Sequence, residues 1–207
     1  MPIGLKGNTD GSGAVQIGGS DAITISTGLN TTFAGTVTAT GTVAGATGTL
    51  YPLVAGTAVA STSGTAIDFT GIPSWVRRVT VMFNGVSTNG SSATIVQIGS
   101  GSVTTSGYSG RSGYIINAGA SSVASATTGF ATDAAGAASE VRTGVMTINL
   151  MGSNLYVASC QVCSTGSALF GFGNGSVTLG GTLDRVRITT VGGTDTFDAG
   201  SINLLWE

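Results

Sequence analysis

From about residue 65 onward, apolar and polar side chains alternate along the chain, the period-2 pattern of half-buried strands. Over 76–83 the alternation sets Val79, Val81 and Phe83 on one face. Over 144–150 it groups Met146, Ile148 and Leu150, and a turn at Gly152-Ser153-Asn154 leads into a further strand over 155–163. Over 183–191 Val186 and Ile188 point inward while Arg185 and Arg187 face out, and over 202–206 Ile202, Leu204 and Trp206 fall together. A strand over 94–98 follows the turn signal Asn89-Gly90, which predicts a hairpin with the strand before it. The 3.6-residue period of helices is scarcely present. Its one candidate, 132–141, is interrupted by Gly136 and reads as a loop.

Upstream the pattern changes. Short strands are predicted over 14–17, 22–26 and 36–43, punctuated by Gly11/Gly13, Gly18/Gly19 and Gly45/Gly48. Between Asp21 and Asp68 there is no charged residue, and Thr36-Val37-Thr38-Ala39-Thr40-Gly41-Thr42-Val43 only alternates small polar with small apolar side chains. Two segments follow: residues 1–60 as an N-terminal anchor or shaft, and residues 61–207 as a β-sandwich domain. The fold class is all-β: a short N-terminal β-arm or shaft, then an antiparallel two-sheet sandwich of jelly-roll type. The larger part is long enough to bury a core; residues 1–60 are not. Exposed strand edges are ordinarily blunted by Lys, Pro or inward charges. With one Lys and three Pro in the chain, the expectation is that other subunits cover these edges. Closed threefold symmetry would do so, and so would attachment of the arm to a larger particle.

Composition narrows the function classes. Only 8% of the 207 residues are charged, against roughly 25% in an ordinary soluble domain. The net charge of −2 argues against nucleic acid as partner, which calls for a clustered basic surface. No window offers the roughly 20 consecutive apolar residues of a spanning helix, so no membrane insertion is expected. The N-terminus lacks the apolar core of a secretory signal, which points to synthesis in a cytoplasm.

Candidate chemistry is sparse. Cys160 and Cys163 have redox or metal spacing, but the chain has no other Cys and no His to complete a zinc site. On a strand, positions i and i+3 face opposite ways, which disfavours a disulfide. Asp195 and Asp198, with Asp184 nearby in sequence, are the carboxylates from which a glycosidase pair could be assembled; in a Gly-rich turn, however, Asp ordinarily bonds backbone. Gly171-Phe172-Gly173-Asn174-Gly175 has no following helix to make it a phosphate cradle and reads as a turn. Of the adjacent Arg77 and Arg78, one is expected to pair with a carboxylate such as Asp68. The segment over 106–114, rich in Gly and Ser, reads as a loop carrying Tyr108, Arg111 and Tyr114, a composition suited to adaptable recognition. These three are the candidates for receptor or subunit contact. No catalytic, cofactor-binding or metal-binding residue is assigned.

The combination resembles bacteriophage tail-fibre and related virion tail proteins. Lys6-Gly7-Asn8-Thr9-Asp10-Gly11-Ser12-Gly13 is similar to virion-anchoring starts, and Phe33-Ala34-Gly35-Thr36-Val37-Thr38-Ala39-Thr40-Gly41 to shaft repeats. Thr65-Ala66-Ile67-Asp68-Phe69-Thr70-Gly71-Ile72-Pro73-Ser74-Trp75-Val76-Arg77-Arg78-Val79-Thr80-Val81 and Phe197-Asp198-Ala199-Gly200-Ser201-Ile202-Asn203 resemble a β-rich module found at the distal end of such proteins. The resemblance implies a non-enzymatic short tail fibre of the virion that mediates host attachment. It implies a homotrimer docked on other tail proteins through residues 1–60, with a host-surface glycan or protein as receptor. A purely structural virion protein, either a tail adaptor or a head decoration, is the alternative reading. A glycan-degrading tailspike is a third.

Overall fold

The computed structural model describes residues 51–117, 119 and 121–207, together with five short strands before them: β1 (Gly4–Gly7), β2 (Gly13–Ile17), β3 (Ser20–Asp21), β4 (Val43–Gly45) and β5 (Gly48–Leu50). The chain divides into two compact units, Met1–Val43 and Ala44–Glu207. In the first, β1, β2 and β3 form an antiparallel sheet in that order, with Leu5 opposite Val15. The strand expected over 14–17 is β2. The one expected over 22–26, and all but the end of that expected over 36–43, lie outside the described residues.

The second unit holds β6 (Val54–Ala55), β7 (Val59–Ala60), β8 (Ala66–Thr70), β9 (Arg78–Thr88), β10 (Thr94–Ser100), β11 (Ser102–Val103), β12 (Ser109–Ile116), β13 (Ser121–Ala126), β14 (Phe130–Ala131), β15 (Arg142–Gly152), β16 (Leu155–Ser164), β17 (Leu169–Thr178), β18 (Arg185–Thr190) and β19 (Phe197–Trp206). Among the described residues there is no helix. Two antiparallel sheets face each other. The larger has nine strands in the order β13-β12-β17-β16-β15-β9-β19-β6, with β7 also on β19. The smaller has five, β11-β10-β18-β8, with β14 also on β10.

The predicted alternation produces the core. Val79, Val81 and Phe83 on β9, with Met146 and Ile148 on β15, meet Val186 and Ile188 of β18 in one buried cluster. Ile202 and Leu204 of β19 join it, while Trp206 packs at its margin. The β15–β16 hairpin turns at Ser153 and Asn154, whose φ values of 49° and 60° belong to the tight turns that match strand twist. Residues 132–141 form no helix and lie as an irregular segment, as expected.

Four expectations are corrected. Residues 54–60 belong to the sandwich: Ala55 pairs with Leu205 and Ala60 with Ser201, and the buried Ser61 hydroxyl donates to Ala199 O at 2.7 Å. The division therefore falls at 43/44 rather than 60/61. Asn89-Gly90 closes no hairpin, because β9 lies in the nine-stranded sheet and β10 in the five-stranded one. Asn89 instead pairs with Thr196 through both backbone and side chain, at 2.9 Å each, so two sheet-crossing connections lie side by side.

Residues 171–175 are no turn but the middle of β17, an interior strand. Gly171 and Gly173 face inward, and a Cβ on Gly173 would stand 2.0 Å from Ala131 O, one on Gly171 2.6 Å from Asp133 Cβ. The glycines let β14 and the residues after it lie directly on the sheet backbone. Lastly, the loop expected over 106–114 is a strand from Ser109 onward, paired with β17 on one side and β13 on the other.

Candidate functional site

The three residues singled out for recognition do not converge. Tyr108 is a core residue, 4% exposed. Its ring meets Phe130 edge-on with centroids 5.0 Å apart. Its hydroxyl accepts from Ile98 N–H at 2.9 Å and donates to Thr104 O at 3.1 Å. Burial pushes the phenol up to about 12. Arg111 and Tyr114 are three apart on β12 and so face opposite ways. Tyr114, half-buried, lies opposite Gly171 on the inner face; Arg111 is exposed on the outer face, opposite Asn174.

The outer face around Arg111 is the surface that stands out. Val123 of β13, Ile115 of β12 and Phe170 of β17 are 67%, 52% and 49% exposed. Ile115 sits directly opposite Phe170. Phe172, opposite Gly113, continues the patch toward Gln161 and the exposed Val145. Arg111 brings the only charge on these three strands, and among the described residues its side chain bonds only the neighbouring Gly110 carbonyl. Four aliphatic or aromatic side chains turned to solvent on one sheet face, beside a guanidinium with no ion-pair partner among the described residues, have the composition of an interface centre. The sequence pattern groups Ile115, Val123 and Phe170 nowhere, because β12 and β17 have the composition of a loop and a turn. The available signal was the flanking of small Gly and Ser positions by Ile115 and Phe170.

The other candidates have structural employment. Cys160 is buried and Cys163 exposed on opposite faces of β16, both free. Burial, assisted by the nearby Asp133 carboxylate, drives the Cys160 thiol far up, away from a reactive thiolate. Asp195 accepts from Ser92 N–H at 2.8 Å, and Asp198 accepts from the Ser87 hydroxyl. Asp184 pairs with Arg185, which holds its carboxyl below the usual range. Asp68 pairs not with Arg77 or Arg78 but with Arg187, in a two-pronged contact of 2.7 and 2.8 Å that likewise lowers its pKa. Arg78 pairs with Glu207. Among the described residues no group of His, Cys, Asp and Glu is placed to hold a metal ion.

One ion pair is fully buried. Arg142 donates to Asp133 through Nε at 2.6 Å and to Ala135 O at 2.8 Å, and Asp133 also accepts from Ala135 N–H at 2.8 Å. Its role is to pin the irregular 132–141 segment onto β15 and β17.

No protein-family model, curated protein or solved structure matches this chain.

Proposed function

We propose that this chain is a non-enzymatic bacteriophage tail component, a short tail fibre that attaches the virion to the host cell surface. It works as a homotrimer, made in the host cytoplasm, with the first unit, Met1–Val43, docked on neighbouring tail proteins. The observation that carries this reading is the outer face of β12, β13 and β17: a rigid sheet surface that turns Ile115, Val123 and Phe170 to solvent beside Arg111. Such a surface is made to be covered. The engagement of Asp184, Asp195 and Asp198 in ion-pair, backbone or hydroxyl bonds supports a role in binding rather than in glycoside hydrolysis, which needs two free carboxyls across a groove.

The test is adsorption of the full chain, labelled with a fluorophore, to a panel of bacterial cells, with Ile115→Glu and Val123→Lys as paired variants. Saturable binding lost in the variants, with folding unchanged by circular dichroism, is expected. Absence of binding to every strain, with the chain still incorporated into particles, would instead identify a tail adaptor or head decoration protein.

A further inference from the structure

At one end of the nine-stranded sheet, where β9 begins and β15 ends, lies a depression of about 390 Å3 lined by Tyr51, Arg77, Arg78, Asn149, Leu150 and Glu207. Its construction starts at the turn over 73–76, closed by Val76 N–H donating to Pro73 O at 3.0 Å. That turn presents Trp75, half of which packs on the core. Tyr51 stacks flat on Trp75, with ring centroids 5.2 Å apart and planes within 2°. One ring face of Tyr51 is thus taken by Trp75, and the residue remains 37% exposed. Asn149 sits opposite Arg78 in the sheet register, which fixes an amide beside the aromatic platform.

The two guanidiniums at the depression are engaged differently. Arg78 is neutralised by Glu207. Arg77 has no carboxylate partner among the described residues: its guanidinium reaches only the Ser74 and Val76 carbonyls, at 3.3 and 3.4 Å. Four of the six arginines are in ion pairs, so a bare guanidinium beside an aromatic platform is unusual in this molecule. It offers a free fork of donors shaped for a planar carboxylate.

We propose that this depression binds a carboxylated saccharide. The flat C–H face of the pyranose lies on Tyr51, whose ring face carries the negative end of its quadrupole. The sugar carboxylate meets Arg77. Ring hydroxyls donate to Glu207 and exchange hydrogen bonds with the Asn149 amide. Few polar groups around an aromatic wall is the usual arrangement of a small-ligand site. The proposal deepens the attachment reading by naming the class of ligand, and rests on that reading only for the ligand's source on a cell surface.

The test is isothermal titration calorimetry of the full chain with a hexuronic-acid tetramer and with the corresponding neutral hexose tetramer, on the natural sequence, Arg77→Gln and Tyr51→Leu. Loss of one charge-assisted contact is expected to weaken binding of the acidic tetramer by about tenfold in Arg77→Gln and to erase its advantage over the neutral one. Tyr51→Leu should weaken both. Arg77 is exposed, so its substitution leaves the fold intact. Absence of binding, equal binding of the two tetramers, or unchanged binding in Arg77→Gln would overturn the proposal. Cell adsorption measured alongside keeps the two readings separate: a chain that adsorbs to cells but ignores both tetramers retains the attachment reading and loses this site.

Discussion

Arg142 shows how a single residue sustains a stretch of chain with little core of its own. Its guanidinium and the Asp133 carboxylate are both removed from water, so each depends on the other. Removing one partner leaves an uncompensated buried charge, which typically costs 3–5 kcal/mol. Arg142→Met should therefore lose about that much stability in urea unfolding. The double variant Arg142→Met with Asp133→Ala should lose clearly less than the sum of the two single changes, because neither charge is then left alone. Tyr108 makes a second residue-scale prediction. A phenol raised to about 12 in the folded chain, against roughly 10 when unfolded, is protonated in both states below pH 10, where its contribution is fully present. As pH climbs from about 10 through 12 the unfolded state ionises first and stability is lost. Spectroscopic titration near 295 nm should show a late ionisation that accompanies unfolding and is missing in Tyr108→Phe; ionisation of Tyr108 near pH 10 in the folded chain would contradict it.

Among elements, β17 is the informative one. Gly173→Ala places a methyl group on the Ala131 carbonyl, and backbone cannot swing aside as a side chain can. The expected loss is about 1–3 kcal/mol, whereas Asn174→Ala on the exposed side should stay within about 0.5 kcal/mol, both read from denaturant midpoints. The same strand marks where sequence reading ended. Strands such as β9, β15, β16, β18 and β19 were legible because each alternates Val, Ile, Leu or Met with polar residues. In the middle of β17 and the first half of β12 the inward positions are Gly171, Gly173, Gly110 and Ser112, since other parts of the chain, largely backbone, fill the space that larger side chains would take elsewhere. The cause lies far from these strands in sequence, in β14 and the Asp133 region, and no local period encodes it. The failed hairpin at Asn89-Gly90 has a similar origin. Its turn chemistry is real, but its partner is the connection before β19 rather than β10. Arg111 was legible as an exposed residue; Tyr108 was not legible as core, because its neighbours Gly107 and Ser109 hide the strand it precedes.

For the whole molecule, the proposed trimer makes a direct demand. Mass photometry at nanomolar concentration should find a species of three 20.2 kDa chains, resistant to SDS at room temperature. A monomeric distribution would rule it out. Assembly of this kind would also account for the outer face of β13, where Val123 stands exposed on an edge strand with no Lys, Pro or charge to discourage pairing.

The glycine row of β17 has a consequence for how such a surface could change over generations. One side of the strand has no freedom, since every substitution at Gly171 or Gly173 strikes backbone or a neighbouring side chain. The other side, with Phe170, Phe172 and Asn174, is decoupled from it by the pleat. Variation can therefore accumulate at alternate positions without disturbing the scaffold. A library randomised at Phe170, Phe172 and Asn174 alone should yield mostly folded members with altered binding, a mutational grammar of every second letter.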